Sequence, residues 1–403
     1  MRVTSGGVLA ALGQRAVTRL SLPDRMLQAE ALLQRAGGPM VLAPFDGEAA
    51  FRVLLEDYRR NADLTFVGCF AARHDVLRLL RNLAALRDRE EREPGLLAAP
   101  VERPIFITGV PRSGTTFLHK LLSEDPENRS PAVWETVFPL PRGRNDPPAR
   151  RIATMNRQLA AFERLAPGFR AVHPIDAVSP QECSEIAAHV FRSFRFETTH
   201  HVPRYRAWLR AADHVPAYCF HRTFLQHLQH TDGRPRRWVL KCPDHVFTLE
   251  ALAAVYPDAR VIFLHRNPIE VLASVAGLTA ILRRPFTSRL DRFAIGRQVA
   301  DDWLAGTDAV LRADAERLFP PERVAHIRFR DLVAAPMATV TSLYERFGLP
   351  LGTEARRRMH RLVAELPRGG YGGLIHALED YAIDAQALRS RFAAYADRFG
   401  VQV

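Results

Sequence analysis

Lysine is nearly missing from this chain. Of its 56 basic side chains only Lys120 and Lys241 are lysines, and all the others are arginine. The formal net charge of +12 therefore follows from arginine usage, and arginine count is a weak guide to partners. A basic field of this kind favours anionic ligands. There is no basic stripe interleaved with aromatics and no finger or helix-turn-helix pattern, so nucleic acid is not an expected partner. Cysteine is scarce as well. Cys69, Cys183, Cys219 and Cys242 lie far apart with no metal-type pair among them, which argues against a zinc module and for reduced, packed thiols. No run approaches the length of a membrane span. The apolar stretch Val8–Leu12 is too short and interrupted for a secretory signal, so a cytoplasmic location is expected. His200-His201 is not a metal pair, because adjacent side chains point apart and no partner stands at ligand spacing; surface or loop histidines are expected there.

What is present is a strand–loop–helix stretch, Pro104 to Leu122. A short apolar run ends at Thr108. A Gly/Pro/Ser loop covers Gly109–Gly114, and helical spacing follows with Phe117, Leu118, Leu121 and Leu122 on one face. Such a layout turns backbone N–H groups and a helix N-terminus onto an anion. The spacing Gly109-x-x-x-x-Gly114-x-Thr116 fits a P-loop except at one position. Thr115 stands where the P-loop lysine belongs, and the positive charge sits earlier, on Arg112. A loop built for a nucleoside triphosphate with Mg²⁺ wants that lysine. In so lysine-poor a chain, Lys120 on the helix and Lys241 at a strand end mark places suited to a compact point charge.

Ahead of this stretch, residues 1–100 read as a helical extension or cap. Helical spacing covers Met26–Ala36, Ala49–Tyr58 and the amphipathic Val76–Glu91, and Pro94-Gly95 and Pro100 mark a linker. Behind it, residues 101–403 alternate strand and helix. Strands are expected at Arg237–Lys241, Ala259–His265 and Val324–Phe329, with a mostly helical insertion over 150–235. Ser179-Pro-Gln-Glu182 has the form of a capping box that starts a helix. Arg266 ends the third strand, and Asn267-Pro-x-Glu270 caps the helix that carries Ser274, so Arg266 and Ser274 can share one anion. Glu135, beside Trp134, is a carboxylate placed to reach the crevice at the strand ends; a solvated Glu paired with an arginine is the competing reading. The expected fold is α/β: a P-loop-like three-layer sandwich, its central parallel sheet wrapped by helices, with an N-terminal helical extension.

Three segments resemble PAPS-dependent sulfotransferases, PAPS being 3'-phosphoadenosine 5'-phosphosulfate. Gly109-Val-Pro-Arg-Ser-Gly-Thr-Thr116 is similar to that family's 5'-phosphosulfate loop, Arg266–Ser274 to its 3'-phosphate segment, and Trp238–His245 to the strand end between them. The resemblance covers about residues 50 to 403 and is strongest to bacterial members with an N-terminal helical extension. It implies PAPS as sulfuryl donor, PAP as product, no metal, and a hydroxyl or amine of a small-molecule, lipid or carbohydrate acceptor. It implies donor contacts from Arg112, Ser113, Gly114, Thr115, Thr116, Arg266 and Ser274. Arg112 would stabilise charge at the bridging oxygen, with Lys241 as a second cation. Two bases are implied: Glu135, because Trp134-Glu135-Thr136 is similar to a segment of tyrosylprotein sulfotransferases, and His245, near the histidine of cytosolic sulfotransferases. Relatives carry a His-x-Tyr pair where Leu374 and His376 stand, which puts that loop's contacts in doubt. The alternatives are a P-loop nucleotide kinase and a non-catalytic nucleotide-binding relative.

Overall fold

The computed structural model describes residues 21–143, 145–365 and 376–402. Its sheet has five parallel strands: β1 (Ile105–Gly109), β2 (Asn128–Arg129), β3 (Arg237–Lys241), β4 (Arg260–His265) and β5 (Val324–Arg328), in the order β2-β3-β1-β4-β5. Sequence patterning finds four of these. The two-residue β2 is too short to carry a periodic signal.

Alternation along each strand splits the core into two layers. Phe106, Leu240, Val261 and Phe263 face a large cluster that also holds the front helices. Ile105, Ile107, Val239, Ile262 and Leu264 face a second cluster with Leu118, Leu122 and Leu343. Burial on both faces explains why the strands read as near-continuous apolar runs.

The order of the strands fixes where ligands bind. β1 and β4 are neighbours, in register from Ile105↔Arg260 to Gly109↔Leu264. The chain leaves β1 towards β2 and β3 on one side, and leaves β4 towards β5 on the other. The crevice beyond their carboxyl ends is thus a topological switch point. Both charged segments picked out in the sequence, Gly109–Thr116 and Arg266–Glu270, start there.

The front helices Gly47–Arg60 and Phe66–Arg92 pack into the main core rather than beside it. The buried carboxylate of Asp57 accepts the backbone N–H of Tyr205 at 2.7 Å, and Phe51 meets Phe191 edge-on at 5.0 Å. No helix of the described residues is long and apolar enough to cross a membrane.

One local expectation fails for tertiary reasons. Ser179–Glu182 does not open a helix. This segment is extended, bridging Ala132 to Pro180, with Gln181 N–H donating to Pro131 O at 2.8 Å; the helix begins at Cys183. Hydrogen bonds from a distant partner displace the local cap. Of the adjacent histidines, His201 is an exposed loop residue, and His200 sits in a bend turned into the fold. It is buried between the rings of Tyr58 (4.7 Å) and Phe286 (5.5 Å). Leu374 and the loop Gly369–Gly373 lie outside the described residues.

Candidate active site

The glycine loop is held by geometry that few residues tolerate. Gly109 has φ +125°, and a Cβ there would stand 2.1 Å from the Leu264 carbonyl oxygen of β4. Gly114, φ +89°, is the N-cap of the helix Thr115–Ser123. Ser113 is buried, and its hydroxyl donates to Val110 O at 2.5 Å, bracing the turn. Arg112 itself has φ +61°. Its guanidinium donates to Val172 O at 2.9 Å, and its own carbonyl accepts from Arg266 Nη1 at 2.9 Å. The two charged segments are thereby tied together. Burial, and then the positive charge of Arg266, hold the Arg112 guanidinium below its usual pKa. Two cations facing one helix N-terminus make an anion site.

Arg112, Gly114, Thr115, Thr116, Lys120 and Arg266 line one end of a cleft of about 1380 Å³. Phe329, Val333 and Pro336 form an apolar shelf at that end, and the Arg266 guanidinium lies 4.4 Å over the Phe329 ring.

Lys241, at the end of β3, lies just under the cleft wall with its side chain 2% exposed. Its ammonium donates to Thr116 Oγ1 at 3.3 Å and to the carboxylate of Glu182, both residues of the wall. Burial works against ionisation of Glu182. The charge of Lys241 and the hydrogen bond it donates outweigh it, so the carboxyl sits below its usual value. His173, also on the wall, is pushed down to about 4 by burial and by Lys241, Arg112 and Lys120, against the pull of Glu182. A carboxylate, a neutral imidazole and several cations thus converge beside Thr116.

The other expected residues are employed elsewhere. Glu135 caps its own helix: one oxygen accepts the Ala132 N–H at 2.9 Å and the other accepts from Arg129 at 2.9 Å. His245 is buried behind β3, with Nδ1 2.6 Å from the Tyr218 hydroxyl, beside a cavity of about 40 Å³. Burial, then His221 and Lys241, hold its pKa well below the usual range. Neither lies on the cleft wall formed by the described residues. Ser274 is half-buried, two turns into the helix Pro268–Arg283, and that wall takes the next residue, Val275, instead. His376 packs against Gly277 on the same helix.

Residues 104–353 match the family described as "Sulfotransferase family". The chain belongs to the sulfotransferase family. Among its relatives is the omega-hydroxy-beta-dihydromenaquinone-9 sulfotransferase Stf3 of Mycobacterium bovis, 28% identical over 260 residues. That match takes in 61% of this chain and 63% of Stf3, less than two thirds of the relative's length. Two solved structures resemble the whole fold. Sulfotransferase STF9 from Mycobacterium avium is 27% identical with a TM-score of 0.81, covering 94% of this chain and 97% of its own. Sulfotransferase STF1 from Mycobacterium tuberculosis H37Rv is 29% identical with a TM-score of 0.77, covering 91% and 98%. Family membership does not favour the kinase alternative.

In this sulfotransferase-family chain the far wall of the cleft is helical and heavily ion-paired. Asp75, Arg78, Glu185 and Arg195 form an alternating ring, with contacts of 2.7 Å (Arg78–Asp75), 2.6 Å (Arg78–Glu185), 2.7 Å (Arg195–Asp75) and 3.3 Å (Arg195–Glu185). Burial and the Asp302 charge push Glu197 up to about 8, and Arg210 reaches Asp302 at 2.6 Å. Beyond these groups the wall is aromatic: Phe162, Phe169 and Phe286. Sequence reading passed over Glu182, His173 and both networks. One signal was available, since a buried strand-end lysine calls for a carboxylate partner.

Proposed function

We propose that the chain transfers a sulfuryl group from PAPS to a hydroxyl, or less readily an amine, of a small-molecule or lipid acceptor with apolar character, with Glu182 as general base. The observation that carries this reading is the convergence of Arg112 and Arg266 on the N-terminus of Thr115–Ser123, with an ionised Glu182 on the adjoining wall. The residues present fit a nucleotide with anionic groups at two places. Arg112, Thr115, Thr116 and the loop N–H groups would hold the 5' end, Arg266 the 3'-phosphate, and Phe329 and Val333 the base. PAPS, when bound, supplies the sulfuryl group and a phosphate oxygen as leaving group.

The chain's own part is positional and electrostatic. Arg112 and Lys120, both on the cleft wall, counter the charge that grows on the leaving oxygen. Glu182 receives the acceptor's proton. Lys241 keeps that carboxylate ionised and fixes it relative to Thr116, which makes Lys241 a positioning residue. Support for an acceptor with apolar character comes from the aromatic far end, and the named acceptor of Stf3 is a menaquinone derivative.

Calorimetric titration tests the reading. Binding of PAP without Mg²⁺, weakened about tenfold or more in Arg112→Ala as expected for loss of a charged hydrogen bond, supports it. Binding of Mg²⁺–ATP in place of PAP would overturn it.

A further inference from the structure

The cleft continues past its charged groups into an apolar end. There Phe162 lies 5.0 Å from Phe169 and 6.2 Å from Phe286. Two helices that build this end carry their lining faces outward beyond the rim. On Phe66–Arg92, the residues Ala71, His74, Asp75 and Arg78 line the cleft. One turn towards the helix start, on the same face, come Val67 and Phe70, then Phe66. These three are 42%, 51% and 66% exposed, and the two phenyl rings touch at 4.8 Å. On Pro148–Leu165, the residues Met155, Leu159 and Phe162 line the cleft, and Leu165, three positions on, is 49% exposed. The two helices meet at Phe286. Gly68 is packed so closely on it that a Cβ would stand 2.1 Å from the Phe286 carbonyl oxygen.

Single exposed apolar residues are ordinary, but a contiguous ridge at a pocket mouth marks an interaction surface. Its surroundings are basic. Arg164, Arg170, Arg284 and Arg289 are exposed on the adjoining segments, against Asp63, Glu163 and Asp291, and Glu163 is already occupied by the N–H groups of Gly168 and Arg170. A second copy of the chain would bring like charge against like, given +12 per molecule. An anionic lipid surface complements both the charge and the aromatic ridge.

We propose that Phe66, Val67 and Phe70 seat the protein on an anionic bilayer, with the cleft mouth at the interface, so that an amphipathic acceptor slides along the aromatic wall to Glu182. The delivery step rests on the function proposed above; the docking surface stands without it. The test is co-sedimentation with vesicles of phosphatidylcholine alone and of phosphatidylcholine mixed with phosphatidylglycerol. The parent protein is expected to bind the mixed vesicles, less so as salt rises. Phe66→Ser/Phe70→Ser should bind about tenfold more weakly or worse, from the apolar area withdrawn. Its PAP affinity and its turnover of a short, water-soluble hydroxyl acceptor should match the parent's. Equal vesicle binding by parent and variant, or no binding by a parent that still binds PAP, sinks the surface and leaves the sulfotransferase reading intact. Light scattering that finds a dimer in the parent and a monomer in the variant also sinks it, in favour of self-association. Vesicle binding by a protein that does not bind PAP upholds the surface and overturns the function.

Discussion

The two walls of the cleft are built on different principles. The glycine-loop wall hangs on strand ends: β1 delivers Gly109–Thr116, β4 delivers Arg266, and a hydrogen bond from Arg266 to the Arg112 carbonyl ties the two segments. The helical wall is made of helices distant in sequence, held by the Asp75–Arg78–Glu185–Arg195 ring and the Glu197–Asp302 cluster. The first wall is local chemistry on a rigid sheet. The second exists only once residues from four separate helices have met. Removing one member of such a buried network leaves an uncompensated charge, so the helical wall is expected to be less tolerant of substitution than its lack of a motif suggests.

This contrast can be broken at Glu182. If Glu182 is the base, Glu182→Gln lowers kcat by about 10²–10⁴-fold while PAP affinity stays at the parent value. A near-parental kcat in sulfuryl-transfer assays would return the search to Glu135 and His245. The next effect sharpens the link between the walls. Lys241→Met removes the group that lowers the Glu182 pKa, and burial, which raises it, remains. A base must be ionised to act, so with Glu182 as base the parental acid limb is expected below the usual carboxyl value of 4.5. In the variant the acid limb of the kcat/KM profile is expected to move to higher pH; an unmoved limb would show that Lys241 does not set that ionisation. The smallest effect concerns Glu135. Its carboxylate caps a helix and pairs with Arg129, so Glu135→Ala should cost about 1 kcal/mol of unfolding free energy in denaturant titrations, with turnover unchanged.

The same contrast explains what was legible in the sequence. Strand runs, the glycine loop and the Arg266 segment are contiguous patterns, and the sheet places them as those patterns require. Gly109 and Gly114 are forced by positive φ, and no other residue fits Gly109 against Leu264. Glu135 stands out in the sequence because its spacing from the loop is right; in the fold its side chain meets a nearer need, the open N–H of Ala132. Glu182 stayed hidden for the reverse reason. Its segment has the form of a cap, yet pairing with Pro131 and Ala132 holds it extended and turns the carboxylate towards β3. The buried networks have little signature in one dimension, because apart from Arg78–Asp75 their ion pairs join different helices.

Lys241 deserves a last consequence. Its ammonium touches Thr116 on one wall and Glu182 on the other. It therefore works as a spacer: one side chain, rooted at the end of β3, sets the gap between Thr116 and Glu182. A broad, planar guanidinium would set a different gap. That gives a chain so committed to arginine a physical reason to keep a lysine at this position.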